Sequence, residues 1–125
     1  MRTVLGIFAG LLLAVSPVWA AALDGKTFSG TIGKMGSQTG QPDDFVFKDG
    51  KFASTLCNKF GYKEGIYQPI ENSGVTYFTA QCKGGQGWKK SWRGSVKGGH
   101  LEGTVTTVEG QSTDEEWFKG DIQSA

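Results

Sequence analysis

The chain of 125 residues carries 13 lysines and arginines against 12 aspartates and glutamates, so its formal net charge is close to zero. This balance excludes the basic excess that binding to nucleic acid or to an anionic membrane surface requires. The length is sufficient for one hydrophobic core and too short for two. We therefore expect a single small domain whose partner is neither nucleic acid nor a membrane surface.

The amino terminus has the pattern of a secretory signal peptide. Arg2 is the only charge before an apolar run from Val4 to Val15, and small residues, Val18 and Ala20, precede the expected cleavage site. The apolar run of about 12 residues is shorter than the roughly 20 that a membrane-spanning helix needs. We expect a signal peptide at residues 1–20 and a periplasmic or secreted protein.

The mature domain expected at residues 21–125 contains two cysteines, Cys57 and Cys82. In an oxidising compartment, an even number of cysteines is typical of a disulfide. The alternative, a zinc site, lacks the further spaced Cys and His residues that zinc requires. We therefore predict a disulfide between Cys57 and Cys82, and no metal site.

Aromatic and β-branched residues alternate with polar ones through most of the mature domain. This period-two pattern, interrupted by glycine-containing turns, predicts β-strands throughout. Pro69 indicates a bulge or a local edge in the fourth strand, because proline cannot donate a hydrogen bond to a neighbouring strand. The predicted strands are Lys26–Ile32, Asp44–Lys48, Lys51–Leu56, Gly65–Ile70, Val75–Cys82, Lys89–Lys97, His100–Val108 and Glu115–Ile122.

Eight consecutive antiparallel strands leave two unpaired edges unless the sheet closes on itself. The first and last predicted strands share the pattern Phe-x-Gly-x-Ile, at Phe28–Ile32 and Phe118–Ile122. Such similarity fits two strands that lie side by side where a barrel closes. We predict an all-β fold, an eight-stranded antiparallel up-and-down β-barrel, with a flattened barrel or a β-sandwich as the alternative.

The connections between the predicted strands differ in length. Even-to-odd turns are tight, as at Asp49-Gly50 and Gly98-Gly99, whereas odd-to-even connections are long. The long connections are Gly33–Asp43, Cys57–Glu64, Lys83–Trp88 and Glu109–Asp114. In an up-and-down barrel they gather at one end, where loops on a rigid scaffold commonly carry binding residues. Phe60, Tyr62 and Trp88 lie there, and they form either a hydrophobic plug or a ligand-binding rim.

Glycine interrupts four predicted strands near their centres, at Gly30, Gly94, Gly103 and Gly120. A glycine inside a strand is costly unless another group approaches the backbone closely. Either aromatic rings pack against these glycines in a solid core, or the glycines leave space for a ligand inside the barrel. The candidate interior ligand-binding residues are Phe28, Phe45, Phe47, Trp92 and Phe118.

Groups that commonly perform catalysis are few in this sequence. The single histidine, His100, sits beside a tight turn at the end opposite the long connections. The acid pairs Asp43-Asp44 and Glu115-Glu116 cannot present two carboxylates to one substrate, because adjacent strand residues point to opposite faces. We interpret these acids as solvated turn residues. The sequence also lacks a phosphate-binding glycine motif and a spaced calcium loop. We therefore expect no enzymatic activity and no cofactor.

Two short segments resemble strands of avidin-like proteins: Trp92-Arg93-Gly94-Ser95-Val96-Lys97-Gly98-Gly99 through Thr104, and Phe28 to Ser37. The overall plan is similar to the calycin group, which comprises lipocalin, avidin and fatty-acid-binding barrels. Gly25-Lys26-Thr27-Phe28 replaces the Gly-x-Trp opening of lipocalins, and the polar biotin ligands of avidin have no residue-by-residue counterparts. The resemblance implies a barrel that binds a small molecule and assigns no biotin site.

Two functions follow from these observations as expectations. The first is a non-enzymatic barrel that binds a small hydrophobic or amphipathic ligand at its long-loop end. The second is a protein-interaction module, such as a periplasmic inhibitor that inserts its loops into a hydrolase. An apolar-lined cavity in the structure would favour the first function, and a filled barrel with protruding loops would favour the second.

Overall fold

The computed structural model describes residues 22–123, so the predicted signal peptide at 1–20 lies outside the described residues. Eight antiparallel strands pair in sequence order and close into a barrel, which confirms the predicted fold class. The strands are β1 Thr27–Lys34, β2 Gln41–Lys48, β3 Lys51–Ser54, β4 Gly65–Asn72, β5 Val75–Lys83, β6 Lys89–Lys97, β7 His100–Glu109 and β8 Ser112–Ile122. A five-residue helix, α1 Thr55–Lys59, and a 3-10 turn, Gly85–Gly87, lie in two of the connections.

The barrel closes where the repeated Phe-x-Gly-x-Ile motifs of β1 and β8 meet. In the antiparallel register Gly30 lies opposite Gly120, Phe28 opposite Ile122, and Ile32 opposite Phe118. The two motifs therefore face one another along their whole length. This pairing removes the two edges that an open sheet would expose.

Aromatic side chains fill the interior of the barrel. The ring centroids of Phe52 and Trp92 are 4.8 Å apart, and Phe47 lies 5.0 Å from both Tyr67 and Phe78. Rings at these separations are in direct contact. The largest fully buried side chains are Trp92, Tyr67, Phe28, Phe45, Phe47, Phe52, Phe118, Leu23, Leu101 and Val105. The interior is therefore a packed hydrophobic core.

The glycines within the strands are explained by close packing against Phe118 and the neighbouring backbone. Gly94 and Gly103 lie opposite each other on β6 and β7. A Cβ atom at Gly94 would lie 2.9 Å from Cζ of Phe118, and one at Gly103 would lie 2.8 Å from the same atom. At Gly94 and Gly103 the structure shows the first of the two explanations, because the Phe118 ring occupies the space that two side chains would need. Gly30 and Gly120 are instead packed against backbone, since a Cβ atom at Gly30 would lie 2.5 Å from the Gly120 Cα atom.

The three tight turns lie together at one end of the barrel. Asp49 and Gly50 both have positive φ, 53° and 78°, which is the geometry that favours this dipeptide in two-residue hairpins. The segment before β1 closes this end, since Leu23 is buried there and Asp24 accepts a hydrogen bond from the Gly50 amide at 2.9 Å. Tyr67 donates a hydrogen bond from its hydroxyl to Asp24 at 2.7 Å. No periodic pattern in the sequence predicts this closure.

The opposite end, which we call the mouth, carries the odd-to-even connections. Three of these connections are long, as predicted. The prediction of a long connection at Glu109–Asp114 was wrong. β7 continues to Glu109 and β8 begins at Ser112, so only Gly110 and Gln111 form the turn. Gly110 has a φ of 67°, as the first central residue of a tight hairpin requires. β1 and β2 also extend further than predicted, which shortens their connection to residues 35–40.

The prediction for the third strand was wrong at its end, because α1 begins at Thr55, inside the expected Lys51–Leu56 strand. Ser54 is the N-cap of this helix, and its hydroxyl accepts a hydrogen bond from the Cys57 amide at 3.1 Å. Serine is among the most favourable residues at this position because it satisfies an amide that lacks a helical partner. No helix among residues 22–123 is long and apolar enough to span a membrane.

Pro69 lies at a local edge of the barrel, as its sequence position predicts. β3 pairs with β4 only at Lys51 with Ile66 and at Phe52 with Gly65. The second half of β4, including Pro69, therefore pairs with β5 alone. A proline is tolerated there because no neighbouring strand needs a donor from that edge.

Replacing Gly103 by alanine tests the close packing at the barrel centre. The new Cβ would meet the Gly94 Cα atom at 2.6 Å and the Phe118 ring, so part of the backbone must shift. We expect a loss of about 1–3 kcal/mol in the free energy of unfolding, measured by urea denaturation. Gly85→Ala is the matched control, since nothing lies within 4 Å of its Cβ position. Equal stability of both variants would contradict the packing explanation.

Candidate functional site

A cleft of about 680 Å³ opens at the mouth, between α1, the β1–β2 connection and the starts of β6 and β8. We call it the mouth cleft. Its apolar lining includes Leu56, Phe60 and Trp88. Its polar lining includes Tyr62, Lys90, Glu109 and Glu116. All three predicted rim residues therefore contribute to one cavity.

The three rim residues differ in how far their rings are buried. Tyr62 is buried, with 3% of its surface exposed, and it acts as the hydrophobic plug that the sequence allowed. Phe60 follows the last turn of α1 and is 71% exposed. Trp88 is half-buried and packs against the core. Tyr62 therefore closes the core, whereas the ring of Phe60 is exposed to solvent at the mouth.

The floor of the cleft holds a buried lysine. The Lys90 side chain is only 10% exposed, and its Nζ donates a hydrogen bond to the Thr107 hydroxyl at 2.7 Å. The same ammonium forms an ion pair with Glu116 at 3.3 Å and lies 4.9 Å from the centre of the Tyr62 ring. A buried charge is tolerated only when such partners compensate for its lost hydration.

A second carboxylate is fixed by Tyr62. The Tyr62 hydroxyl donates a short hydrogen bond to Oε2 of Glu109. Burial, and next the contact with Glu109, raise the pKa of Tyr62 above its ordinary value. The phenol therefore stays protonated at physiological pH and acts as a donor.

The position of α1 depends on Asp43, which lies in β2 and is buried. Asp43 accepts hydrogen bonds from the Ser54 hydroxyl and from the Leu56 amide, the latter at 2.9 Å. A carboxylate at the start of a helix is favourable because it satisfies free amides and opposes the positive end of the helix dipole. This contact holds α1, and therefore Phe60, against the barrel.

The interpretation of the acid pairs as solvated turn residues was wrong for one member of each pair. Asp43 and Glu116 point inward, to α1 and to Lys90 respectively. Asp44 accepts a hydrogen bond from Ser29, and Glu115 forms an ion pair with Arg93 at 3.7 Å on the outer face. The expected alternation of adjacent side chains between two faces is present in both pairs.

The five candidate interior residues lie in the solid core and do not join the rim residues in a cavity. Phe28, Phe45, Phe47, Trp92 and Phe118 are each at most 1% exposed. Among residues 22–123, the space between them is filled by contacts of the rings with one another. They support the barrel that carries the mouth cleft.

Sequence reasoning missed the polar residues on the floor of the cleft. Lys90 precedes Trp92 by two positions, Glu116 precedes Phe118 by two, and Thr107 follows Val105 by two. Each therefore points inward by strand alternation, which was a usable signal. Charged residues are rarely buried without a partner, and a single sequence does not show which residues are partners in space. For this reason Glu116 was interpreted as solvated, and Lys90 was not predicted to be buried.

The predicted disulfide is not formed in the structure, in which Cys57 and Cys82 are both free and buried. Cys57 lies on the buried side of α1 and lines the mouth cleft. The thiol of Cys82 donates a long hydrogen bond to the Phe52 carbonyl at 3.7 Å. The helix that replaces the end of the third strand sets the position of Cys57, which spacing alone could not supply.

His100 lies on the outer face, away from the mouth. Its Nδ1 is 3.0 Å from Asp121 and its Nε2 is 3.1 Å from Glu102, so both ring nitrogens face carboxylates. The contact with Asp121, reinforced by Glu102, raises the pKa of His100 from 6.5. Within residues 22–123, no group of three or more His, Cys, Asp and Glu side chains is placed to hold a metal ion.

Comparison of the chain with known protein families, with curated proteins and with solved structures finds no match.

The state of the cysteines is tested by thiol labelling without reductant. Burial raises the pKa of Cys57, and burial together with the nearby Cys57 raises the pKa of Cys82 to about 12. Each unit in pKa lowers the thiolate fraction about tenfold, and the thiolate is the reactive species. We expect very slow labelling of the folded protein and rapid labelling of both thiols in denaturant. Absence of labelling in denaturant would contradict the free thiols.

The ion pairs of His100 predict a pH-dependent contribution to stability. Because its pKa is raised in the folded state, the contribution is fully present below the unfolded pKa of about 6.5 and is lost as the pH rises through the folded value. We expect an NMR titration to give a pKa above 6.5 in the parent protein and a lower one in Asp121→Asn. An unchanged pKa in Asp121→Asn would show that the carboxylate does not act on the ring.

Proposed function

We propose that the protein is secreted to the periplasm or beyond, and that it binds a small amphipathic ligand in the mouth cleft. The supporting observation is a cleft of about 680 Å³ in which apolar and polar side chains converge. Binding sites for small molecules are typically concave, mostly apolar and roughly 300–1,000 Å³ in volume, with a few fixed polar groups. The calycin-like layout gives further support, since the resemblance implies a barrel that binds a small molecule.

The apolar side of the cleft supplies the driving force for binding. Phe60 exposes most of its ring to water, and Leu56 and Trp88 border the same space. Covering a side chain of this size is worth about 1.5–3 kcal/mol. An alkyl or aromatic portion of a ligand that covers Phe60 would therefore contribute a tenfold or greater gain in affinity, at about 1.4 kcal/mol per tenfold.

The site is also held in place before any ligand binds. Asp43 and Ser54 fix the start of α1, and Tyr62, Lys90 and Glu109 are linked by the contacts described above. A preformed site loses little conformational entropy on binding, so more of the contact energy is available as affinity. This rigidity supports a role as a binding protein without any catalytic step.

A protein-interaction module, such as an inhibitor of a periplasmic hydrolase, is the second candidate. It is favoured by the solid interior and by the exposure of Phe60 at the end of a helix beside the mouth. Aromatic side chains that fill a pocket on a partner commonly dominate protein interfaces. In this alternative Phe60 inserts into the partner, and the mouth cleft receives a side chain of that partner.

The ligand function is tested by native mass spectrometry of the protein purified from its own host, together with titration of a fluorescent hydrophobic probe. We expect a retained small-molecule adduct, and probe binding that weakens about tenfold or more in Phe60→Ala. Ile70→Ala is the matched control, because Ile70 is 66% exposed and lies near the tight-turn end of β4.

Three outcomes bear on the choice between the ligand function and the interaction module. A protein without an adduct that also binds no probe contradicts the ligand function. Retention of a hydrolase by the parent protein on an affinity column, with its loss in Phe60→Ala, would support the interaction module. Equal probe binding by Phe60→Ala and the parent protein would show that the mouth cleft is not the binding site.

A further inference from the structure

We infer that the mouth cleft selects an organic cation, an amphipathic molecule with an ammonium or similar head group. This inference rests on the proposed ligand function and adds the charge of the ligand to it. It follows from the hydrogen-bonding capacity that remains available on the polar wall of the cleft. Lys90, Glu109 and Glu116 provide the fixed charges of that wall.

The ammonium of Lys90 is largely buried, and two of its three donors are already used within the protein. A lysine has three N–H donors and no acceptor. In this site one donor is directed to the Thr107 hydroxyl at 2.7 Å, one to Glu116 at 3.3 Å, and the charge lies 4.9 Å from the Tyr62 ring centre. An anionic head group would find only one remaining donor, on a side chain that is 10% exposed.

The two carboxylates have acceptor capacity to spare. Glu109 uses Oε2 to accept from Tyr62, and Glu116 uses Oε1 to accept from Lys90. Among residues 22–123, no side chain donates a hydrogen bond to Oε1 of Glu109 or to Oε2 of Glu116. Each ionised carboxylate can accept about four hydrogen bonds. The fixed charged groups on the wall therefore offer more free acceptors than free donors, which favours an ammonium.

Partial burial strengthens this preference. The Glu116 side chain is 22% exposed, so water screens its charge less than it would at the surface. The aromatic rings of Phe60 and Trp88 line the same cleft, and such rings attract cations through their negative faces. A ligand with a cationic head beside a hydrocarbon portion would satisfy the carboxylates and cover Phe60 at the same time.

Lys34 is a second lysine that lines the cleft. It lies opposite Glu116 in the β1–β8 register and lines the cleft, but it is exposed and forms no ion pair within residues 22–123. Its flexible side chain can keep the ammonium in water. By contrast, Glu109 and Glu116 are held by hydrogen bonds, so their positions are set before a ligand arrives.

The experiment compares three detergents below their micelle concentrations, with the same alkyl chain and a trimethylammonium, a sulfate or a neutral sugar head. Binding is measured by isothermal titration calorimetry. We expect the trimethylammonium compound to bind about tenfold more tightly than the neutral one, and the sulfate compound to bind most weakly. Equal or reversed affinities, with binding still lost in Phe60→Ala, would overturn the cation inference and leave the ligand function intact. No binding of any compound would contradict the ligand function itself.

Two variants that change the wall charge in opposite directions complete the test. Glu109→Gln keeps an acceptor for Tyr62 but removes a negative charge, so cation affinity should fall about tenfold. Lys90→Met removes the positive charge, so cation affinity should rise. Glu102→Gln, on the outer face beside His100, is the control and should change neither. An unchanged cation affinity in Glu109→Gln overturns the inference, whether or not Lys90→Met folds.

Discussion

The interior of a small closed barrel must be filled, and in this protein aromatic rings fill it. Eight strands enclose a volume that side chains can occupy completely. Phe118 reaches across the β6–β7 pair to the positions of Gly94 and Gly103, and Phe52 contacts Trp92 at the centre. The rings contact one another through the centre of the barrel, and the mouth cleft lies outside this core. The mouth is the end at which inward-facing positions become polar.

The inward-facing side chains change from apolar to polar along individual strands, in the direction of the mouth. Trp92, Val105 and Phe118 contribute to the core, and the next inward position toward the mouth on each of their strands is Lys90, Thr107 or Glu116. A single layer of residues thus separates the solid core from the cleft. The partners within this layer compensate for the lost hydration of Lys90, whose isolated burial would cost several kcal/mol. The layer serves as the floor of the site and as the cap of the core.

Much of the barrel could be predicted from the sequence because strand alternation and turn dipeptides are local signals. The Asp49-Gly50 hairpin and the facing Phe-x-Gly-x-Ile motifs of β1 and β8 are examples. The helix α1 was missed because its cap depends on Asp43, which is a neighbour in space and precedes Ser54 by eleven positions. The charged floor of the cleft was missed for a similar reason, since the pairing of Lys90 with Glu116 joins β6 to β8.

One side of the mouth cleft is formed by the segment that follows the short strand β3. β3 and β4 share only two residue pairs, so the wall of the barrel is incomplete near the mouth. The chain after Ser54 does not continue this ladder. Instead, Ser54 ends the strand, Asp43 binds the first turn of α1, and the helix carries Phe60 to the edge of the cleft. The end of β3 at Ser54 therefore places α1, which contributes one side of the proposed binding site.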